Sequence, residues 1–181
     1  SAGHSYKFQP ERVHVFGNTR FCPEWRSVYS TIVPPPIIRD ANPGTNKLRI
    51  VFMDHSSNYS MHADEIVSSV NAILDLDFVD FVLKPSTASQ HSNKKHSHAT
   101  EGLSNICRIV PNEHSFNLIA WADVVIVTHS SIFLEVLLQD KVFIYPTHFT
   151  GLTGVFEQYE SCWKVNSTNE LTNALEKVYK E

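Results

Sequence analysis

Ala122-Asp-Val-Val-Ile-Val-Thr-His-Ser-Ser-Ile-Phe-Leu-Glu-Val-Leu-Leu-Gln-Asp-Lys-Val-Phe-Ile-Tyr-Pro146 reads as a buried strand, a polar turn, an amphipathic helix and a second buried strand, which is a βαβ unit. Val124 to Val127 form an unbroken β-branched run, as expected of a parallel strand covered on both faces. Thr128, His129, Ser130 and Ser131 then gather hydroxyl and imidazole groups at the carboxyl end of that strand, where open α/β sheets bind their ligands. Ser130 or Ser131 can cap the following helix and leave backbone N–H groups facing an anion. Glu135, about one turn on, falls on the same side of the helix as Ser131. On spacing alone two readings stand level: serines that only cap, with Glu135 solvated, or a cradle for a ligand.

The same alternation extends outward. Leu48 to Met53 is an apolar strand followed by a polar loop, Asp54 to Ser60. A helix is predicted over Met61 to Leu74, with Ser60 as N-cap and an inward stripe of Ile66, Val67, Val70, Ile73 and Leu74. Phe78 to Leu83 is the second strand, ending in Lys84-Pro85-Ser86-Thr87. Ile106 to Val110 is the third, with Cys107 to Val110 as its sheet-forming part, and Pro111 to Ser115 leads into a short helix, Phe116 to Trp121. After Val142 to Tyr145 come a Gly- and Thr-rich loop to Gly154, a helical turn over Phe156 to Tyr159 and an edge strand, Cys162 to Val165. Ser167-Thr-Asn-Glu170 is a capping box that opens a last helix with Leu171, Leu175 and Val178 inward. Short apolar runs alternating with helical patterns predict an α/β fold: a Rossmann-like, mostly parallel sheet with helices on both faces.

Upstream, Val13 to Phe16 is a short strand, Gly17 and Asn18 supply a turn, and Pro23 can open a short helix. Ser1 to Gln9 shows no apolar periodicity. Val33 to Asn46 holds four of the nine prolines and reads as an extended linker. The expected organisation is therefore an N-terminal segment and linker over 1–46 and a Rossmann-like domain over 47–181.

At 181 residues and 42% hydrophobic content the chain suffices for one α/β core. A formal net charge of −4 argues against a nucleic-acid partner. The three cysteines, Cys22, Cys107 and Cys162, lie far apart with neither close pairing nor metal-ligand spacing, which fits a reduced, cytoplasmic setting. No apolar run is long enough to span a bilayer, and peripheral membrane association of the full-length protein stays open. The loop after Met53 lacks the GxGxxG fingerprint, so no dinucleotide cofactor is expected. His91, His96 and His98 lie in a polar stretch without a carboxylate or cysteine at ordered spacing, so no metal is expected there.

Ala-Asp-Val-Val-Ile, Ser130-Ser131, Glu135 and the return strand together resemble the donor-nucleotide motif in the C-terminal half of GT-B glycosyltransferases. The resemblance is strongest to bacterial surface-polymer enzymes: Kdo transferases, sialyl- and polysialyltransferases, and CDP-glycerol glycerophosphotransferases. Gly17, Arg20 and Phe21 match the strand end that leads into the donor domain of those enzymes, with Thr19 and Cys22 in place of proline and aspartate. Lys84-Pro85 matches their Lys-Pro-His-Pro without the histidine, and Asp140 and Val142 stand where they have glycine and proline. The resemblance implies that Ser130 and Ser131 hold the nucleotide phosphate and Glu135 the ribose hydroxyls. It further implies that Thr128 and His129 line the donor, and it makes Lys84, His114 and Arg20 candidate phosphate or base contacts. Each has a plainer alternative: a solvated lysine, a loop histidine before a helix capped by Ser115, an exposed loop arginine. The implied ligand is a CMP-, UDP- or CDP-linked sugar, the implied partner an acceptor domain, and neither a metal nor a cofactor is required. The same pattern occurs in UDP-GlcNAc 2-epimerases, and a flavodoxin-like binding module is a non-catalytic alternative.

Overall fold

The computed structural model describes residues 21–39, 44, 46–54, 62–86, 102–151 and 160–181. The predicted strand Val13 to Phe16, the turn at Gly17, Arg20, the loop from His55 to Ser60 and the turn over Phe156 to Tyr159 lie outside them. The chain divides into two compact units, Ser1–Val33 and Pro34–Glu181. In the first, helix α1 (Pro23–Ile32) opens on proline, and Cys22 Sγ accepts the Trp25 N–H at 3.4 Å as its cap. None of its residues is buried, and Trp25, Val28 and Ile32 are exposed.

The second unit holds a six-stranded sheet: β1 (Leu48–Met53), β2 (Val79–Lys84), β3 (Arg108–Ile109), β4 (Val124–Val127), β5 (Val142–Pro146) and β6 (Trp163–Val165). The order is β3-β2-β1-β4-β5-β6, and every neighbouring pair is parallel. That is the doubly wound Rossmann order, with its switch point between β1 and β4. Helices α2 (Ala63–Leu74), α3 (Ser115–Trp121), α4 (Phe133–Leu138) and α5 (Thr168–Lys180) and a 3-10 turn, Thr147–Phe149, complete it.

Successive strand side chains point to opposite faces, so each strand feeds two cores. Ile50, Phe52, Val124, Ile126 and Ile144 pack with Ile66, Val70 and Ile73 of α2 and Leu171 and Leu175 of α5. Val51, Met53, Val125, Val127, Phe143 and Tyr145 pack with Leu118 and Ile119 of α3 and Val136 of α4. Burial on both faces is why the strands carry continuous rather than alternating apolar runs.

Several boundaries differ from those predicted. β2 starts at Val79 and takes in Lys84, whose Cα pairs with that of Met53, so the lysine ends the ladder rather than following it. β3 shrinks to Arg108–Ile109 because only Val82 and Leu83 of β2 oppose it. Helix α2 begins at Ala63 after His62, which makes no side-chain cap, so Asp64 falls within its first turn. β5 extends to Pro146, paired with Val165 at the end of the ladder, where a missing N–H is tolerated. In the predicted capping box, Ser167 Oγ accepts the Glu170 N–H at 3.2 Å as expected, but Glu170 reaches back to Asn166 N, one residue before the cap.

Candidate functional site

Two strands that diverge at the switch point leave a crevice outside their carboxyl ends. Met53 and Asp54 end β1 on one side; the turn Thr128 to Ile132 follows β4 on the other. A cavity of about 150 Å³ lies there, lined by Met53, Asp54, Lys84, Pro85, Ser86, Ser115, Ser130 and Ile132. Lys84 and Ser130, distant in sequence, thus share one cleft.

Lys84 is 5% exposed and its Nζ donates to the Pro111 carbonyl at 2.5 Å. Burial pushes its ammonium below the ordinary lysine range, and the Glu113 carboxylate opposes that shift. The solvated-lysine alternative therefore does not hold. Ser130 sits in a tight turn in which its N–H donates to the Thr128 carbonyl at 2.8 Å and its Oγ accepts the Ile132 N–H at 3.4 Å.

Neither serine is the helix cap expected from sequence. Helix α4 starts at Phe133 after Ile132, which has a helical backbone and no side-chain cap, because the Thr128–Ser130 turn takes up the residues that would have opened the helix. Ser131 is exposed and is not among the residues lining the cleft. Glu135 is 8% exposed, which corrects the solvated-helix alternative for it. Thr128 is fully buried beneath the turn, and its Oγ1 has no hydrogen-bond partner among the described residues.

His129 is not among the residues that line the cleft. Its Nε2 lies 2.9 Å from Thr150 Oγ1 and 3.2 Å from Tyr145 Oη, both on buried residues, and its ring meets Tyr145 edge-on at 5.8 Å between centroids. Bonded this way, the imidazole fixes the turn to the end of β5 and is poorly placed to serve as a base through Nε2. His114 is also committed: its Nδ1 accepts the Phe116 N–H at 3.2 Å, so the histidine caps α3 and Ser115 is that helix's first residue. Arg20 lies outside the described residues.

Sequence reasoning missed Glu113. It is 5% exposed, and its carboxylate accepts the N–H groups of Ile37 (2.7 Å), Ile38 (2.5 Å) and His114 (3.0 Å) and the Asn117 amide (3.0 Å). Burial alone would push its carboxyl up, but these four hydrogen bonds outweigh it and hold it below the usual carboxylate range. The only sequence signal was an acidic residue in a loop at the carboxyl edge.

A larger concavity, about 530 Å³, opens at the opposite edge of the sheet, lined by Lys47, Arg49, Asp123, Lys141 and neighbours. Its Arg49 is already paired, with Nη2 meeting Asp123 Oδ1 at 2.7 Å. The smaller cleft is the better candidate, because it stands at the switch point and holds a buried cation.

No protein-family model matches the sequence, and no curated protein matches it. Solved structures do match its fold. Thermosulfurimonas dismutans KpsC, a β-Kdo 2,4 transferase, superposes with a TM-score of 0.52 at 15% identity, over 74% of this chain and 42% of that one. The fold is that of one half of a GT-B protein. The Methanocaldococcus jannaschii UDP-GlcNAc 2-epimerase matches this GT-B half with a TM-score of 0.52 at 9% identity, over 90% of this chain and 43% of the epimerase. A glycotransferase of kitacinnamycin gives 0.51 at 11% identity, over 82% and 40%. The GT-B half thus spans about two fifths of the length of each structure it matches.

Proposed function

We propose that this chain is the donor-binding half of a glycosyltransferase that moves a sugar from a nucleotide-activated donor to a surface-polysaccharide or glycolipid acceptor. The observation that carries this reading is the position of Lys84 and Ser130 in one cleft at the switch point of a GT-B half. A buried ammonium there balances phosphate charge without a metal, and it is already in place before charge develops on the leaving phosphate. Ser130 Oγ supplies a hydroxyl to the same phosphate, Glu135 accepts from the ribose hydroxyls, and His129 orients the turn. The acceptor and the general base belong to a second half. The full protein works in the cytoplasm, attached peripherally at the inner face of the membrane.

Calorimetry of the chain against CMP, CDP, UDP and GDP tests this, with CMP expected to bind most tightly. Glu135→Gln keeps size and helix propensity while removing a charge-assisted acceptor whose hydrogen bonds contribute about 1.5 to 3 kcal/mol. It is expected to weaken nucleotide affinity at least about tenfold at nearly unchanged melting temperature. Equal affinity would take Glu135 out of the site. The epimerase match over 90% of the chain supports a second reading, in which a UDP-sugar is epimerised. Turnover of UDP-GlcNAc without any acceptor, by a chain that includes both halves, would select it.

A further inference from the structure

The geometry points to Glu113 as a positioning residue of the proposed donor cleft: its carboxylate ties the segment at Ile37 and Ile38 and the loop before α3 together beside Lys84, and so holds that lysine in place. Each Glu113 oxygen accepts two hydrogen bonds, Oε2 from Ile37 N and Ile38 N, Oε1 from His114 N and Asn117 Nδ2. All four partners are donors, so the site is built for an anion, and a buried anion requires a nearby cation. Lys84 is that cation. Its Nζ is anchored on the carbonyl of Pro111, two residues before Glu113, so the ammonium on β2 is held by the loop that carries the carboxylate.

The segment Pro34–Arg39 is fastened at two further points, by Asn117 Nδ2 on the Pro34 carbonyl (3.0 Å) and Arg108 Nη1 on the Arg39 carbonyl (2.8 Å). Glu113 therefore closes a belt that runs from this segment through the loop to the cleft. Among the described residues, the other charged or titratable groups near Lys84 are Asp54, across the cleft at the end of β1, and His114 in the loop that carries Glu113. Asp54 is half-buried and its N–H donates to the Lys84 carbonyl at 2.9 Å, and His114 Nδ1 is occupied as a cap.

The role in donor binding rests on the function proposed above, but the coupling to Lys84 is measurable without a ligand. NMR of the chain labelled with ¹³C at lysine Cε, with Lys84→Met for assignment, follows the titration of Lys84 itself. In the wild type its midpoint is expected below the ordinary lysine range. In Glu113→Gln, where desolvation acts unopposed, it is expected to fall further, and in Glu113→Asp to return most of the way. Should Glu113→Gln fail to fold, Glu113→Asp, which keeps the charge but shortens the reach to Ile37 and Ile38, still reads the coupling as a smaller downward shift. A Lys84 midpoint identical in the wild type and every folded variant would overturn the inference. The consequence for binding is an affinity for CMP or UDP that, in Glu113→Gln, is lost at a lower pH than in the wild type. A wild-type chain that binds no nucleotide would sink the donor reading alone, since the titration of Lys84 still reports on Glu113.

Discussion

Thr128 is a buried hydroxyl whose Oγ1 meets no partner among the described residues, an arrangement that costs about 1–3 kcal/mol relative to a satisfied one. It sits at the carboxyl end of β4, where its carbonyl accepts the Ser130 N–H of the turn above it. Thr128→Val keeps the shape and removes the unsatisfied oxygen. We expect it to raise stability by about 1 kcal/mol, read by thermal or urea denaturation, with nucleotide affinity unchanged. Loss of affinity in a stabilised variant would instead place Thr128 in contact with the donor. Lys84 shows the opposite relation between sequence and structure. A lysine after an apolar strand says nothing by itself about burial, but its register with Met53 draws it into the ladder and under Pro111.

Elements end where local chemistry allows, and α4 ends on a residue that the resemblance marked as a departure. Asp140 has φ +53°, its N–H donates to the Leu137 carbonyl at 3.1 Å, and the Lys141 N–H donates to the Val136 carbonyl at 3.2 Å. This is a Schellman motif with aspartate in the left-handed position that glycine usually fills. Asp140→Gly relieves the Cβ strain and is expected to stabilise the chain by about 0.5–1 kcal/mol, read as a higher denaturation midpoint at unchanged m-value. A loss of stability would mean that the entropy of glycine in the unfolded chain outweighs the strain. On the other side of the sheet, His148 joins the 3-10 turn to α2 and α5: its Nε2 lies 3.1 Å from Ser69 Oγ, which lies 2.7 Å from Thr168 Oγ1. Burial pushes the His148 imidazole below its usual range, opposed in part by the Val165 backbone and by Glu65 and Glu170. With the folded value below the unfolded one, its contribution is fully present above about pH 6.5 and is lost as the pH falls through that value towards the folded one. His148→Gln, compared with the wild type at pH 7.5 and 5.0, should show a smaller acid-induced loss of stability. Strands and the α5 cap were legible in the sequence because an unbroken β-branched run and a Ser-x-x-Glu box are local signals. The caps of α2, α3 and α4 were not, because His62 is held by the distant Phe149 and His148 carbonyls, His114 caps through its own ring nitrogen, and Ile132 follows the Thr128–Ser130 turn without a side-chain cap.

For the whole unit, the alternation of strands and helices fixes a parallel sheet, a parallel sheet aligns its carboxyl ends, and aligned ends bring Lys84 and Ser130 together. That much of the site was legible, because it follows from chain direction alone. Glu113 was not, because its donors at Ile37 and Ile38 lie some 75 residues away and belong to a proline-rich segment with no periodicity. The larger concavity at the amino edge offers a direct contrast, since any ligand there would compete with the Arg49–Asp123 pair, whereas the cleft at the carboxyl edge presents a cation whose nearest fixed partner is a carbonyl. A nucleotide should therefore stabilise the chain through the carboxyl edge. At a ligand concentration a hundredfold above the dissociation constant the gain is about 2.7 kcal/mol. For a unit of this size that is a rise in melting temperature of roughly 5–10 °C. Lys84→Met should abolish most of that rise, while Arg49→Met, which breaks the pair at the other edge, should lower the starting melting temperature and leave the nucleotide-induced rise intact. With a nucleotide-sugar in place of the nucleotide we expect the same rise and no transfer by this chain alone, because the proposed function assigns the acceptor and the base that activates it to a second half. The reverse pattern, a rise that survives Lys84→Met and vanishes with Arg49→Met, would move the ligand to the amino edge and overturn the proposed donor site while leaving the fold untouched.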